Sequence, residues 1–112
     1  MYIHTIDISH PPLTPTIAEK VLDEEAGIVF STQQWRVLKV IHGHGTDQRP
    51  SVLKQIVYNW AHRNRKRLLA IIPGEKYNIH DLKTQEMRKL CGQVTDVDLD
   101  VSNPGITLIW IK

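Results

Sequence analysis

The sequence predicts an α/β domain: a two-layer sandwich built on a mixed sheet, with elements in the order β-α-β-α-β-α-β-β. Short apolar, β-branched runs alternate with segments whose apolar residues recur every three to four positions. The breaks between them hold the prolines, glycines and small polar residues that end strands and cap helices. The 112 residues, 41% hydrophobic and 23% charged, suit one core rather than two, so 1–112 is read as a single domain.

Residues 2–8 (YIHTIDI) are β-rich and stop before Pro11 and Pro12, which cannot continue a ladder. Thr14 and Pro15 read as N-cap and first residue of a helix running to about Ala26, with Gly27 as its stop. Residues 28–34 carry no clear pattern. Residues 35–41 (WRVLKVI) form the near-continuous apolar strand found inside α/β sheets. After the turn HGHGTD, a helix spans about 50–63, with Leu53, Ile56, Val57 and Trp60 as its buried stripe. Its other side carries Lys54, Gln55, Tyr58, Asn59 and His62. Residues 68–72 are a buried strand ended by Pro73 and Gly74, and 81–91 a helix stopped by Gly92. Residues 95–101 (TDVDLDV) alternate strictly, which predicts a strand with Asp96, Asp98 and Asp100 on its solvent face. The turn 102–105 then joins it to a last strand, 106–111, as a hairpin. Right-handed crossovers place the first helices on one face. Ligands of such sheets lie beyond the carboxyl ends of strands, where residues 7–10 and 42–47 fall.

The net charge of +2 conceals an asymmetry. Residues 1–35 carry −4, residues 36–67 carry +7 and residues 68–112 carry −1, and no acidic residue occurs from Gln48 to Gly74. Such a segment suits an anionic partner, and nucleic acid is the common one. The plainer alternative is a solvated helix face balanced by the acidic first helix. The composition excludes disordered and collagen-like chains, and no apolar run approaches the roughly 20 residues of a membrane-spanning helix. The N-terminus shows no secretory signal pattern, and Cys91 as sole cysteine permits no internal disulfide, so the expected location is the cytoplasm.

The chemistry concentrates in His42-Gly43-His44-Gly45-Thr46-Asp47, between a strand and a helix. Glycines permit positive φ and close approach of a ligand, and the following helix points free N–H groups and its positive dipole end at the turn. That arrangement suits a phosphate, with His42 at the lip to donate to it or to move a proton near neutral pH. The alternative is an ordinary glycine-bearing turn. His42, His44 and Asp47 also have the makings of a divalent-metal site, but the pair straddles a glycine turn that leaves its geometry unset. No metal ligand is assigned and the cofactor stays open. Residues 62–67 (HRNRKR) continue the basic side begun by Arg49 and Lys54 and are read as phosphate contacts. Trp35, Trp60 and Trp110 read as core or rim, with base stacking open to Trp35 if exposed.

VIHGHGT after a strand, the helix SVLKQIVYNW, the early IDIS strand end and the closing NPGITLIWIK resemble the small MutS-related (Smr) domain family over nearly the whole chain. That resemblance implies a two-layer α/β sandwich like the carboxy-terminal domain of a bacterial translation initiation factor. It also implies binding of DNA or RNA, with cleavage in several members, in DNA repair or a larger nucleic-acid-processing assembly. The family's motif aspartate maps to Asp7 and its glycine-loop histidine to His42, with Gly43, Gly45 and Thr46 matching the loop. Two positions depart from the pattern: Ser9 replaces the first motif's histidine, and Asp47 replaces the last loop glycine. An extended backbone through residue 10 would turn His10 away from Asp7. In the endonuclease reading, Asp7 orients a water or the His42 imidazole, while His42 and His44 supply acid and base. Arg36, Gly43, Gly45, Thr46, Arg49, Lys54, Arg63, Arg65, Lys66 and Arg67 hold the nucleic acid. The alternatives are a domain of this fold that binds nucleic acid without cleaving it, to which Ser9 and Asp47 point, and a protein-interaction or small-anion module.

Overall fold

The structure is a computed structural model describing residues 1–46 and 48–112. Four strands form one mixed sheet: β1 (Ile3–Asp7), β2 (Val37–Ile41), β3 (Leu68–Pro73) and β4 (Ile106–Ile111), in spatial order β1-β2-β4-β3. β1 and β2 are parallel, and β4 runs antiparallel to both β2 and β3. The chain's last strand is therefore an inner one. All six residues of β4 are buried, as an unbroken ITLIWI run paired on both sides should be.

Helix α1 (Pro15–Ser31) opens as expected, with Thr14 Oγ1 accepting from the Ile17 amide at 3.4 Å and Pro15 in the first turn. It does not stop at Gly27. Its buried residues Ala18, Leu22, Ala26 and Val29 keep helical spacing through that position. Packing of that stripe outweighs the roughly 1 kcal/mol that one glycine costs a helix. Helix α2 (Val52–Arg63) is capped by Ser51 and α3 (Leu82–Cys91) by Asp81. Short 3-10 turns occupy Arg65–Arg67 and Gly74–Lys76.

Helices α1 and α2 cover one face of the sheet over Leu38, Val40 and Ile109, giving the expected sandwich layer. The other face carries α3 and the irregular chain 92–103, packed over Val37, Ile72, Leu108 and Trp110. The hairpin expected from 95–101 does not form: those residues make turns, and Val97 is 87% exposed. The reason is Lys39. It sits mid-strand in β2 and is 4% exposed, and a buried ammonium requires opposite charge. Asp96 and Asp98 supply it, accepting from Lys39 Nζ at 2.7 and 2.8 Å. Tyr77 OH donates to the second oxygen of Asp96 at 2.8 Å. The aspartates that read as a solvent face are inward-facing counter-ions, and Asp100 turns the chain at a φ of +64°.

Because β1, β2 and β3 run the same way, their carboxyl ends and the loops that follow gather at one end of the sheet. Their amino ends gather at the other. There, Arg36 N donates to Tyr2 O, Ile111 N to Arg36 O and Lys112 N to Arg67 O.

Candidate functional site

At the carboxyl end of β1 the chain leaves the sheet in a tight polar turn. Asp7 Oδ1 accepts from Ser9 N at 2.8 Å, Ser9 Oγ at 3.0 Å and His10 N at 3.1 Å. Its other oxygen accepts from His10 Nδ1 at 2.9 Å. The expectation that His10 points away from Asp7 is thus overturned: the pleat ends at residue 7, and the turn built on the carboxylate swings the imidazole back onto it. Slight burial acts to raise the Asp7 pKa. The Ser9 amide, the His10 imidazole and the Ser9 hydroxyl outweigh it and hold the carboxyl below its ordinary range. His10 is 73% exposed in its side chain, and since Nδ1 donates, Nε2 presents a lone pair to solvent.

The glycine loop after β2 is stitched to the turn before β4. The amides of His42 and Gly43 both donate to Gly105 O, at 2.9 and 3.0 Å. Gly43 and Gly45 have φ of +75° and +77°. A Cβ on Gly45 would lie 2.2 Å from the Arg49 carbonyl oxygen, so no side chain fits there. Thr46 closes the turn, its amide donating to Arg49 O at 2.9 Å and its hydroxyl accepting from Arg49 N at 3.0 Å. The expected anion cradle is therefore largely turned inward: the Gly43 and Thr46 amides serve the loop itself. The negative charge assigned to Asp47 lies outside the described residues.

The two loop histidines have opposite environments. His42 is 1% exposed and does not form a lip. Its Nδ1 donates to Gly43 O at 2.6 Å, and its Nε2 accepts from Thr107 Oγ1 at 2.8 Å. Burial, with the nearby Lys54 charge, pushes its pKa below 6.5 against the contrary pull of the Gly43 carbonyl. It is a neutral structural imidazole with no nitrogen left for a substrate. His44 is exposed, and its Nδ1 accepts from Lys54 Nζ at 3.1 Å, which leaves Nε2–H outward. Lys54 also donates to Pro104 O at 3.0 Å and lies 3.6 Å from Glu75, so it is a tethered rather than a roving cation. Ser51 completes the junction, its Oγ donating to His42 O and accepting from the Lys54 amide.

Between the two strand ends lies an open cleft of about 470 Å³. Ser9, Pro12, Leu13 and Pro15 line one side, Gly45, Ser51, Val52 and Leu53 the other, and His42 the floor. The walls are close, since a Cβ on Gly43 would lie 3.9 Å from that of Ser9. Among the described residues, no three His, Cys, Asp or Glu side chains converge as a metal site requires.

The basic residues divide between the two ends. Arg49 and Lys54 stand beside the cleft. Arg36, Arg65, Lys66 and Arg67 precede β2 and β3 and so stand at the opposite end, joined by Arg63 at the last turn of α2. Helix α2 separates the groups by about 18 Å, from its rise of 1.5 Å per residue. Some of the far charges are engaged: Arg36 donates to Thr32 O, Arg63 pairs with Glu19 at 3.2 Å, and Arg67 lies over Phe30 at 5.3 Å. The single patch expected from sequence is thus two, and Arg36 cannot serve the cleft. Trp35 stacks on His4 at 4.2 Å, and Trp60 Nε1 donates to Asp23 at 2.7 Å, so both indoles have internal partners.

Sequence reasoning missed His10, Ser51, Gly105 and Thr107 as parts of this end. A serine before the α2 stripe was a legible cap. The pairing of β2 with β4, which brings Gly105 and Thr107 to His42, left no local trace.

In fold, the whole chain is similar to the crystal structure of the Smr domain of Thermus thermophilus MutS2. The match covers 100% of this chain and 99% of that one, with a TM-score of 0.55 and 15% sequence identity. No protein-family model and no curated protein matches the sequence. The Smr-like fold implied by the glycine-loop motif is therefore present along the full length of the chain. No helix is long and apolar enough to cross a membrane among the described residues.

Proposed function

We propose that this is a nucleic-acid-binding domain of the Smr type that holds the phosphate backbone along the outer face of α2. The single observation that carries the reading is the acid-free path joining the two basic groups. From Gln48 to Gly74 there is no carboxylate, and the exposed positions of α2 are Val52, Gln55, Asn59, His62 and Arg63. An acid-free strip, with Gln55, Asn59 and His62 as its hydrogen-bonding groups, thus runs from Arg49 to Arg65, Lys66 and Arg67. Among the described residues, no carboxylate pairs with those last three. Duplex DNA places one charge per roughly 1.7 Å of axis, so an 18 Å path faces several phosphates. Nothing along the strip is arranged to read base edges, and recognition follows backbone and shape.

Cleavage, DNA-repair involvement and a larger nucleic-acid-processing assembly belong to the same reading through the family resemblance, and a cytoplasmic setting through the sole cysteine, Cys91. The test is fluorescence anisotropy with labelled single- and double-stranded 20-mers of DNA and RNA across a salt series. Affinity should fall linearly on a log–log plot, with a slope matching several released counterions. A salt-independent or undetectable association with all four probes overturns the reading and leaves a protein-interaction module of the same fold.

A further inference from the structure

We infer that the chain forms a two-fold dimer in which the edge strand β3 pairs antiparallel with β3 of a second copy, joining two four-stranded sheets into one. The pairing does not depend on nucleic acid, so it stands or falls apart from the reading above.

The two outer strands of the sheet differ. β1 is guarded: its exposed residues are Thr5 and Asp7, a polar side chain and a charge. β3 is not. No charge occurs from Leu68 to Gly74, Leu69 is 45% exposed and Ile71 36%, and among the described residues no strand pairs with its outer side. The direction of its free backbone groups follows from β4. Ile111 N donates to Arg36 O on the β2 side and Lys112 N to Arg67 O on the β3 side, so the alternate residues Trp110 and Leu108 turn toward β3. Their partners Ala70 and Ile72 are thereby engaged, which leaves Ile71 pointing its N–H and C=O outward and Pro73 its C=O. A proline, with no N–H to offer, is at home on such an outward position.

A second copy is the occupant that these groups match. About a two-fold axis perpendicular to the sheet at Ile71, each Ile71 exchanges both backbone hydrogen bonds with its twin, and the exposed side chains meet. Counting outward from the axis, Leu69 falls opposite Pro73 of the other copy and Arg67 opposite Glu75, an apolar contact and an opposite-charge pair, each made twice. Arg67 has no carboxylate partner within its own chain among the described residues, and Glu75 lies 3.6 Å from Lys54 alone. An open hollow of about 280 Å³ beside Ile71 and Pro73 gives Leu69 of the second copy a place to pack. The pairing also ends at two copies, because both outer strands of the joined sheet are then β1, whose edge carries Asp7. Such an axis keeps each face of the sheet on its own side, so both α1–α2 layers lie on one face.

The experiment is sedimentation equilibrium of the whole chain, without nucleic acid, from about 10 μM to about 1 mM, since a strand edge is a small interface. The weight-average mass should climb from the 12.9 kDa of one chain toward twice that value and level off there. Ile71→Lys sets two like charges at the axis and should weaken dimerisation about tenfold or more, with the far-ultraviolet circular dichroism of the monomer unchanged. Arg67→Glu and Glu75→Arg should each weaken it severalfold, and the two together should restore it. In a Cys91→Ser background, Ile71→Cys should form a disulfide-linked dimer under mild oxidation, because hydrogen-bonded twins hold their Cα atoms about 5.5 Å apart. Leu82→Cys, 79% exposed on α3, should not. The mass of one chain at every concentration overturns the inference and leaves the edge to an extended segment of another protein. A mass that climbs past two copies, a dimer that Ile71→Lys leaves intact, or cross-linking no faster through Ile71→Cys than through Leu82→Cys each overturns it as well.

Discussion

The two ends of the sheet carry similar charge in opposite mechanical states. At the cleft end, Asp7, His42, His44 and Lys54 are each held by one to four hydrogen bonds, and the glycine loop is tied to the turn before β4. At the far end, Arg65, Lys66 and Arg67 sit on a single 3-10 turn with none of its residues buried. Arg65 donates to His62 O at 2.8 Å and Arg67 lies over Phe30, but no carboxylate pairs with either among the described residues, so their charge acts outward as a field, whereas the groups at the cleft hold direction at the cost of reach. The difference separates two tasks: attraction of a backbone needs charge, and chemistry on it needs orientation. Variants should therefore split into those that alter binding alone and those that alter the cleft alone.

The largest effect is expected far from both ends. Asp96→Ala would leave Lys39 with only Asp98 and remove the acceptor of Tyr77 OH. Breaking a buried pair from one side costs about 3–5 kcal/mol, which urea denaturation would register as a large drop in midpoint. The segment so anchored leads into the turn at Gly105 that braces the glycine loop, so the cleft end should loosen first. Hydrogen exchange at the His42 and Gly43 amides would show it. Substitution at Gly45 comes next. In Gly45→Ala, a Cβ 2.2 Å from the Arg49 oxygen at a φ of +77° forces the loop to move, at a cost of about 2 kcal/mol. RNA affinity should fall only a few-fold, because the displaced loop carries Arg49 while Arg65, Lys66 and Arg67 stand at the other end; a tenfold loss would show the loop itself to be the main grip. The reciprocal variant, Arg65→Glu with Lys66→Glu, should weaken binding about tenfold or more and lower the salt slope by about 2, with stability changed by less than about 0.5 kcal/mol.

The elements with strong periodicity were legible: α2, α3, β4 and the start of α1 fall where their apolar spacing and caps put them. The region 95–101 was not. Alternation of Asp with Val and Leu has the period of a strand, and only the non-local presence of Lys39 turns those aspartates inward. In the site, Asp7 and the special conformations of Gly43 and Gly45 could be read from local chemistry. The exchange of roles between histidines could not. His42 follows the half-buried Ile41 at the end of β2, and its partner Thr107 lies 65 residues on, so its burial depends on β4 docking between β2 and β3. His10 gains Asp7 because the strand ends three residues before it, a boundary that period-2 alternation does not reveal. The basic run read as one patch because sequence proximity hides the length of α2.

The contrast between His42 and the surface imidazoles also sets how stability responds to mild acid. His42 has a folded pKa below 6.5, chiefly from burial, so the unfolded chain binds its proton first as pH falls. The stability it contributes is complete above about pH 6.5 and is lost as pH drops through the folded value. The loss is at most about 1.4 kcal/mol per pH unit for one proton. Asp7 and Asp96 are also depressed in the folded state; burial opposes this, but hydrogen bonds and, for Asp96, the Lys39 contact prevail. Their contribution has the same sign but begins to fall only below about pH 4, the ordinary carboxyl range. Chemical denaturation at pH 7.5, 6.5 and 5.5 separates the windows. Wild type should weaken between the last two, by at most about 1 kcal/mol. His42→Gln, which keeps an amide to meet Thr107 and Gly43 but carries no titrating group, should show no slope there at whatever stability it retains. If wild type is equally stable at pH 6.5 and 5.5, His42 accepts its proton without disturbing the floor of the cleft, and its reading as a neutral structural imidazole falls.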